Sequence, residues 1–178
     1  MKYILDTNTF WDVLKKWNSS NTSVLLSKLE ENGVLEFGLS EISAMEIHSV
    51  VGNCIRRKPQ RQKCDRQIET ENGIIQCPHT WTTKRFYSLI NKSEAQSLIR
   101  LINDILKQRH ASFKVKIIPL NEEIIEHGSN LLQKYAYRFD FHSLDALIGA
   151  TAIKSAATLI TFDKALKNVL NEEGVTVE

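Results

Sequence analysis

The three-residue apolar run Tyr3-Ile4-Leu5 stops on a carboxylate, Asp6, and meets the helix-capping residues Thr7-Asn8-Thr9 at once. A β-rich run that ends this way reads as a strand delivering Asp6 to its carboxyl end, where open α/β sheets hold their ligands. The rest of the chain repeats the alternation. Strands are expected at 34–39, 115–118, 158–161 and 175–177, and helices at 9–16, 22–31, 41–53, 82–109 (interrupted near Asn91-Lys92-Ser93), 121–135, 143–156 and 163–170. In the helix from Glu41 the inward stripe is read as Ile42, Met45 and Val50, with Glu46 on or beside it; in the helix capped by Ser143 it is Leu144, Leu147, Ile148 and Thr151. Strands alternating with helices imply a parallel sheet with right-handed crossovers.

At 178 residues the chain fits a single domain over 1–178, and 42% hydrophobic with 25% charged residues is ordinary for a soluble globular protein. A net charge of +2 does not by itself announce nucleic acid. No signal peptide and no apolar run of ~20 residues is read, so a cytoplasmic location away from membranes is expected. Three cysteines then read as reduced thiols. The segment at about 56–80, basic and polar with Pro59, Gly73 and Pro78, breaks the pattern and is treated as an insertion.

Four acids stand out: Asp6, Glu46, Asp145 and Asp163. Singly, Asp6 and Asp163 have a plainer explanation as turn or N-cap residues, and Asp145 as a first-turn acid favoured by the helix dipole. Glu46 resists this, because a carboxylate on a buried stripe costs several kcal/mol (about 3–5 when left unpaired) without a partner. A parallel sheet brings strand ends from distant sequence to one edge, and carboxylates crowded there need a cation. Mg²⁺ or Mn²⁺ takes oxygen ligands and leaves positions open for a phosphate oxygen and an attacking water, the equipment of phosphodiester hydrolysis.

These residues resemble the PIN domains, and among them the VapC-like ribonuclease toxins of type II toxin–antitoxin modules. The matching pieces are Ile4-Leu5-Asp6-Thr7-Asn8, Ser43-Ala44-Met45-Glu46-Ile47, the run from Leu144-Asp145 to Ala152, and Leu159-Ile160-Thr161-Phe162-Asp163, in the family's order. The resemblance implies a three-layer α/β/α sandwich around a mostly parallel sheet. It implies a Mg²⁺- or Mn²⁺-dependent endoribonuclease with Asp6, Glu46, Asp145 and Asp163 as its catalytic, metal-holding acids, Asn8 and Thr161 as polar support, and 5′-phosphate and 3′-hydroxyl products. It also implies an antitoxin partner covering the acidic edge and a homodimer, for which 82–109 offers apolar surface. Asp140 is a rival ligand, though the motif favours Asp145. The long basic insertion departs from a minimal member.

Arg56, Arg57, Lys58, Arg61, Lys63 and Arg66 concentrate positive charge soon after the helix bearing Glu46, and a phosphate backbone is the matching partner. A solvated loop is the plainer alternative. Trp81 suits base stacking or, more commonly, a core. Cys54, Cys64, Cys77 and His79 invite a zinc site, but no C-x₂-C pair is present. His48, His110, His127 and His142 show no nucleophile–base spacing. Two rivals remain: a catalytically silent RNA-binding module of the same fold, and a haloacid-dehalogenase-type phosphatase, which wants a second Asp where Asn8 stands.

Overall fold

The computed structural model describes residues 2–18, 23–55, 60–64, 66–71, 73–77, 80–83 and 90–178. In chain order the elements are β1 (Tyr3–Leu5), α1 (Thr7–Asn18), α2 (Val24–Leu29), β2 (Glu30–Glu31), β3 (Val34–Ser40), α3 (Glu41–Ile55), β4 (Gln60–Lys63), β5 (Gln67–Thr70), β6 (Gly73–Gln76), β7 (Thr80–Thr83), α4 (Lys92–Leu106), β8 (Phe113–Ile118), α5 (Glu122–Tyr135), α6 (Ser143–Lys154), β9 (Thr158–Ile160) and α7 (Lys164–Glu172).

The central sheet runs β8-β3-β1-β9 with all three pairings parallel, and the two-residue β2 adds an antiparallel pairing to the start of β3. Side chains alternate across a strand, so one short strand feeds two cores. Tyr3 and Leu5 of β1 pack with Phe10, Phe37, Leu39, Ile47, Ile102 and Val115 on the side of α1, α3 and α4, whereas Ile4 packs with Ile124, Leu131, Ala146, Ile148 and Leu159 on the side of α5 and α6. The result is the expected α/β/α sandwich. Its parallel strands place the ends of β1, β3 and β9 on a common edge.

Caps set the helix boundaries. Ser40 Oγ accepts the amide of Ser43 at 3.0 Å and pairs with Ser43 Oγ at 3.1 Å, so a polar residue enters the core satisfied. The buried stripe of α3 is therefore Ser43, Ile47 and Val51, and Met45, expected inside, is 67% exposed. Leu144 likewise faces out at 42%. The interruption read near residue 91 is the true start of α4: Asn91 and Glu94 form a reciprocal capping box, with both bonds under 3 Å. The expected helix residues 82 and 83 belong to β7, and the expected last strand is a single bridge between Leu159 and Val177.

The segment read from the sequence as an insertion contains pairings that the sequence pattern hid. β4 pairs antiparallel with β7 and β5 with β6 in one continuous register, so the segment rises as a ribbon whose Ile68, Ile74 and Ile75 stay exposed. Among the described residues no helix is long and apolar enough to cross a membrane.

Candidate active site

β1 ends at Leu5, and the next residue is already committed to α1: the carbonyl of Asp6 accepts the amide of Phe10 at 3.0 Å, and Asp6 Oδ1 accepts the amide of Thr9 at 2.6 Å. The plainer N-cap explanation thus holds and is not the whole role. Asp6 Oδ2 also accepts from the hydroxyl of Thr161, which follows β9, and that same hydroxyl accepts the amide of Asp163 at 3.0 Å. Asp163 in turn caps α7 through the amide of Leu166 at 2.8 Å. Asp145 sits in the first turn of α6 and accepts the amide of His142 at 3.2 Å, and Glu46 Oε2 accepts the hydroxyl of Thr7 at 2.6 Å.

Asp6, Glu46, Asp145 and Asp163 line one open depression of about 370 Å³, together with Thr7, Asn8, Ser49, Val50, Asn53, Leu144 and Ile148. Three of the four acids stand at helix N-termini, those of α1, α6 and α7, whose dipoles favour negative charge. Crowding remains legible in the electrostatics. The carboxyl of half-buried Asp145 is held above the ordinary range, first by its burial and then by the charges of Asp163 and Glu46, against the opposing pull of the His142 amide.

Among the described residues no three His, Cys, Asp or Glu side chains converge closely enough to chelate an ion as they stand. The donor set nevertheless suits a hard divalent cation. It offers carboxylate and hydroxyl oxygens without nitrogen or sulfur, and Glu46 Oε1, Asp145 Oδ1 and Asp163 Oδ2 have no hydrogen-bond partner among the described residues. Mutual repulsion holds uncompensated carboxylates apart, so a looser arrangement is what this charge set gives alone.

The structure brings the four acids and Asn8 together and uses Thr161 as a tie between two of them. Asp140 is left out: it pairs with His142 at 3.0 Å and does not line the depression. Of the basic candidates, Arg56, Arg57 and Lys58 lie outside the described residues, Arg61 and Lys63 stand on β4, and Arg66 is exposed just before β5. No basic residue lines the depression among the described residues. Trp81 stands on β7. Cys54, Cys64 and Cys77 are free thiols, and His79 lies outside the described residues. Sequence reasoning missed Thr7, Ser49 and Asn53. The last two had a signal, since they follow Glu46 by three and seven residues on one helix face.

Comparison with known proteins bears on the fold and family. The sequence pattern of the PIN domain family matches residues 3–170. No curated protein matches the chain. Among solved structures, VapBC2 from Rickettsia felis bound to a DNA fragment from their promoter aligns at 19% identity and a TM-score of 0.56, over 100% of this chain and 98% of that one. FitAcB from Neisseria gonorrhoeae aligns at 17% and 0.55, over 99% and 96%. VapBC-1 from nontypeable Haemophilus influenzae aligns at 20% and 0.52, over 100% and 97%. At these identities the likeness carries the fold.

Proposed function

The chain belongs to the PIN domain family, and from that premise we propose that it is a metal-dependent endoribonuclease, the toxin of a toxin–antitoxin pair. The observation that carries the reading is the meeting of four carboxylates, from β1, α3, α6 and the end of β9, in one open depression. Asp6, Glu46, Asp145 and Asp163 would hold a divalent cation, Mg²⁺ or Mn²⁺, which would supply positive charge against the negative charge of a phosphodiester and make water more acidic.

The chain's own residues fix where that happens. Thr161 and the Thr9 amide lock both oxygens of Asp6, so the carboxylate nearest the sheet cannot rotate away. Thr7 holds Glu46 by one oxygen and leaves the other without a hydrogen-bond partner among the described residues. Asn8, exposed at the rim, has an amide free to donate to a phosphate oxygen.

Two further features support the biological half of the reading. The solved structures of similar fold include complexes named as VapBC. Exposed Leu144 lines the depression, and exposed Met45 and Phe162 adjoin Glu46 and Asp163 in sequence, apolar surface on which an antitoxin segment would settle. The basic positions Arg56, Arg57, Lys58, Arg61, Lys63 and Arg66 are assigned to the RNA backbone, and a homodimer is the expected assembly.

The test is cleavage of a mixed pool of structured and unstructured RNA with Mg²⁺, Mn²⁺ or EDTA, beside Asp6→Ala and Asp145→Ala. Metal-dependent cuts absent from both variants are expected. Folded wild-type protein that binds the pool and never cuts it with either ion would sink the nuclease reading and leave a silent binding module.

A further inference from the structure

The depression has two chemically different ends. Asp6, Glu46, Asp145 and Asp163 mark one, with Thr7 and Asn8 following Asp6; Ser49, Val50 and Asn53 on α3, with Leu144 and Ile148 on α6, are the remaining, neutral lining residues. Glu46, Ser49, Val50 and Asn53 fall at i, i+3, i+4 and i+7, so a single face of α3 runs from the acid to the amide. Leu144 and Ile148 are likewise one turn apart on α6.

The neutral end is unsuited to a phosphate, since it has no cationic side chain, and to a second metal ion, since it has no carboxylate of its own. Apolar side chains with a hydroxyl and a carboxamide among them suit a flat heteroaromatic with a polar edge. A carboxamide offers both donor and acceptor, and Asn is among the side chains that pair with base edges through two bonds. The volume accommodates about one nucleotide, not a duplex, and sequence in RNA is read on unpaired bases set against side chains.

Charge along the chain points the same way. Between residues 56 and 85 eight basic and three acidic residues give a net +5, leaving −3 for the rest of a chain that totals +2. α3 ends at Ile55, two residues past Asn53, and the basic run Arg56-Arg57-Lys58 follows it directly in sequence.

We infer that the neutral end is a subsite for the unpaired base next to the scissile phosphate, with Asn53 reading the base edge, Ser49 supporting it, and Val50 and Leu144 bearing on its faces above the buried Ile148. This rests on the nuclease reading above and adds what the enzyme selects. Asn53 and Ser49 are specificity-determining residues, distinct from the acids that perform the reaction.

The experiment is cleavage of a randomised single-stranded RNA pool by the full chain with Mg²⁺ or Mn²⁺, with base frequencies read at each position flanking the cuts. Wild type is expected to show a preference at one flanking position. Asn53→Ala is expected to reduce that preference about tenfold, the discrimination of a lost two-bond base contact, and Ser49→Ala to reduce it less. Both residues are exposed, so circular dichroism will show intact folds. Cuts with no flanking preference in wild type, or an Asn53→Ala profile matching wild type, overturn the subsite and leave the nuclease standing. An RNA pool left uncut with either ion brings down both.

Discussion

Thr161→Val tests the tie between β9 and Asp6 in isolation, because the two side chains have nearly the same shape. The residue is fully buried, and its hydroxyl donates to Asp6, itself only 4% exposed, and accepts from the Asp163 amide. A hydrogen bond to a charged group contributes about 1.5–3 kcal/mol and one between neutral groups about 1 kcal/mol. A buried methyl in the hydroxyl's place returns about 0.8 kcal/mol. The net expectation is a loss of about 2 kcal/mol, or about 4–8 °C in Tm for a chain of this size. Thr161→Ser keeps both bonds and loses one methyl, about 1 kcal/mol. Urea unfolding followed by tryptophan fluorescence should rank wild type above Ser and Ser above Val. Cleavage should fall further in Val than in Ser, since only Val releases Asp6. A Val variant as stable as the Ser variant would refute the argument that this hydroxyl holds the acid.

Asp145→Asn is expected to abolish cleavage and raise stability. The native carboxyl has a raised proton affinity, so the folded chain binds more protons than the unfolded one between the ordinary carboxylate range and the raised value. Wild-type stability therefore falls as pH rises through that window, and the variant's gain in Tm should be present at pH 7 and vanish below pH 3. Mg²⁺ at millimolar concentration should raise the Tm of wild type, an increase reversed by EDTA and much reduced in Asp163→Asn, as expected of an ion that binds only the folded state. Gly149→Val should cost about 1–3 kcal/mol by overpacking, because even a Cβ there stands 3.3 Å from the Cδ atoms of Leu166 and Leu170; thermal unfolding reads it.

Much of this fold was legible because short parallel strands are written as compact apolar runs: β1, β3 and β9 fall where the runs fall. Asp6, Asp145 and Asp163 were legible by their placement at element ends, where caps and catalytic groups draw on the same residue types, and Glu46 by its place beside an apolar stripe inside α3. Met45 and Leu144 were misread for one physical reason. Hydrophobic periodicity assumes that apolar means inward, and beside an open site it does not; Ser43 meanwhile takes an inward place that Ser40 makes tolerable for a hydroxyl. The ribbon was missed because β5 and β6 are exposed on both faces, so no alternation marks them, although Asn72-Gly73 is a hairpin signal in the sequence. Nothing in the local sequence distinguishes Thr7 as the partner of Glu46, because the bond spans 39 residues and exists only once β1 and α3 are docked.

The hydrogen bond from Thr161 to Asp6 joins positions 155 apart, where β9 closes the end of the strand order against β1. During synthesis the amino-terminal residues emerge first, and Asp6 has neither its hydroxyl partner nor Asp163 until β9 has left the ribosome and slotted beside β1. Contacts of such separation form late in folding. The acidic edge is therefore assembled only at the end of synthesis, and any product of premature termination before residue 158 lacks the strand that completes it.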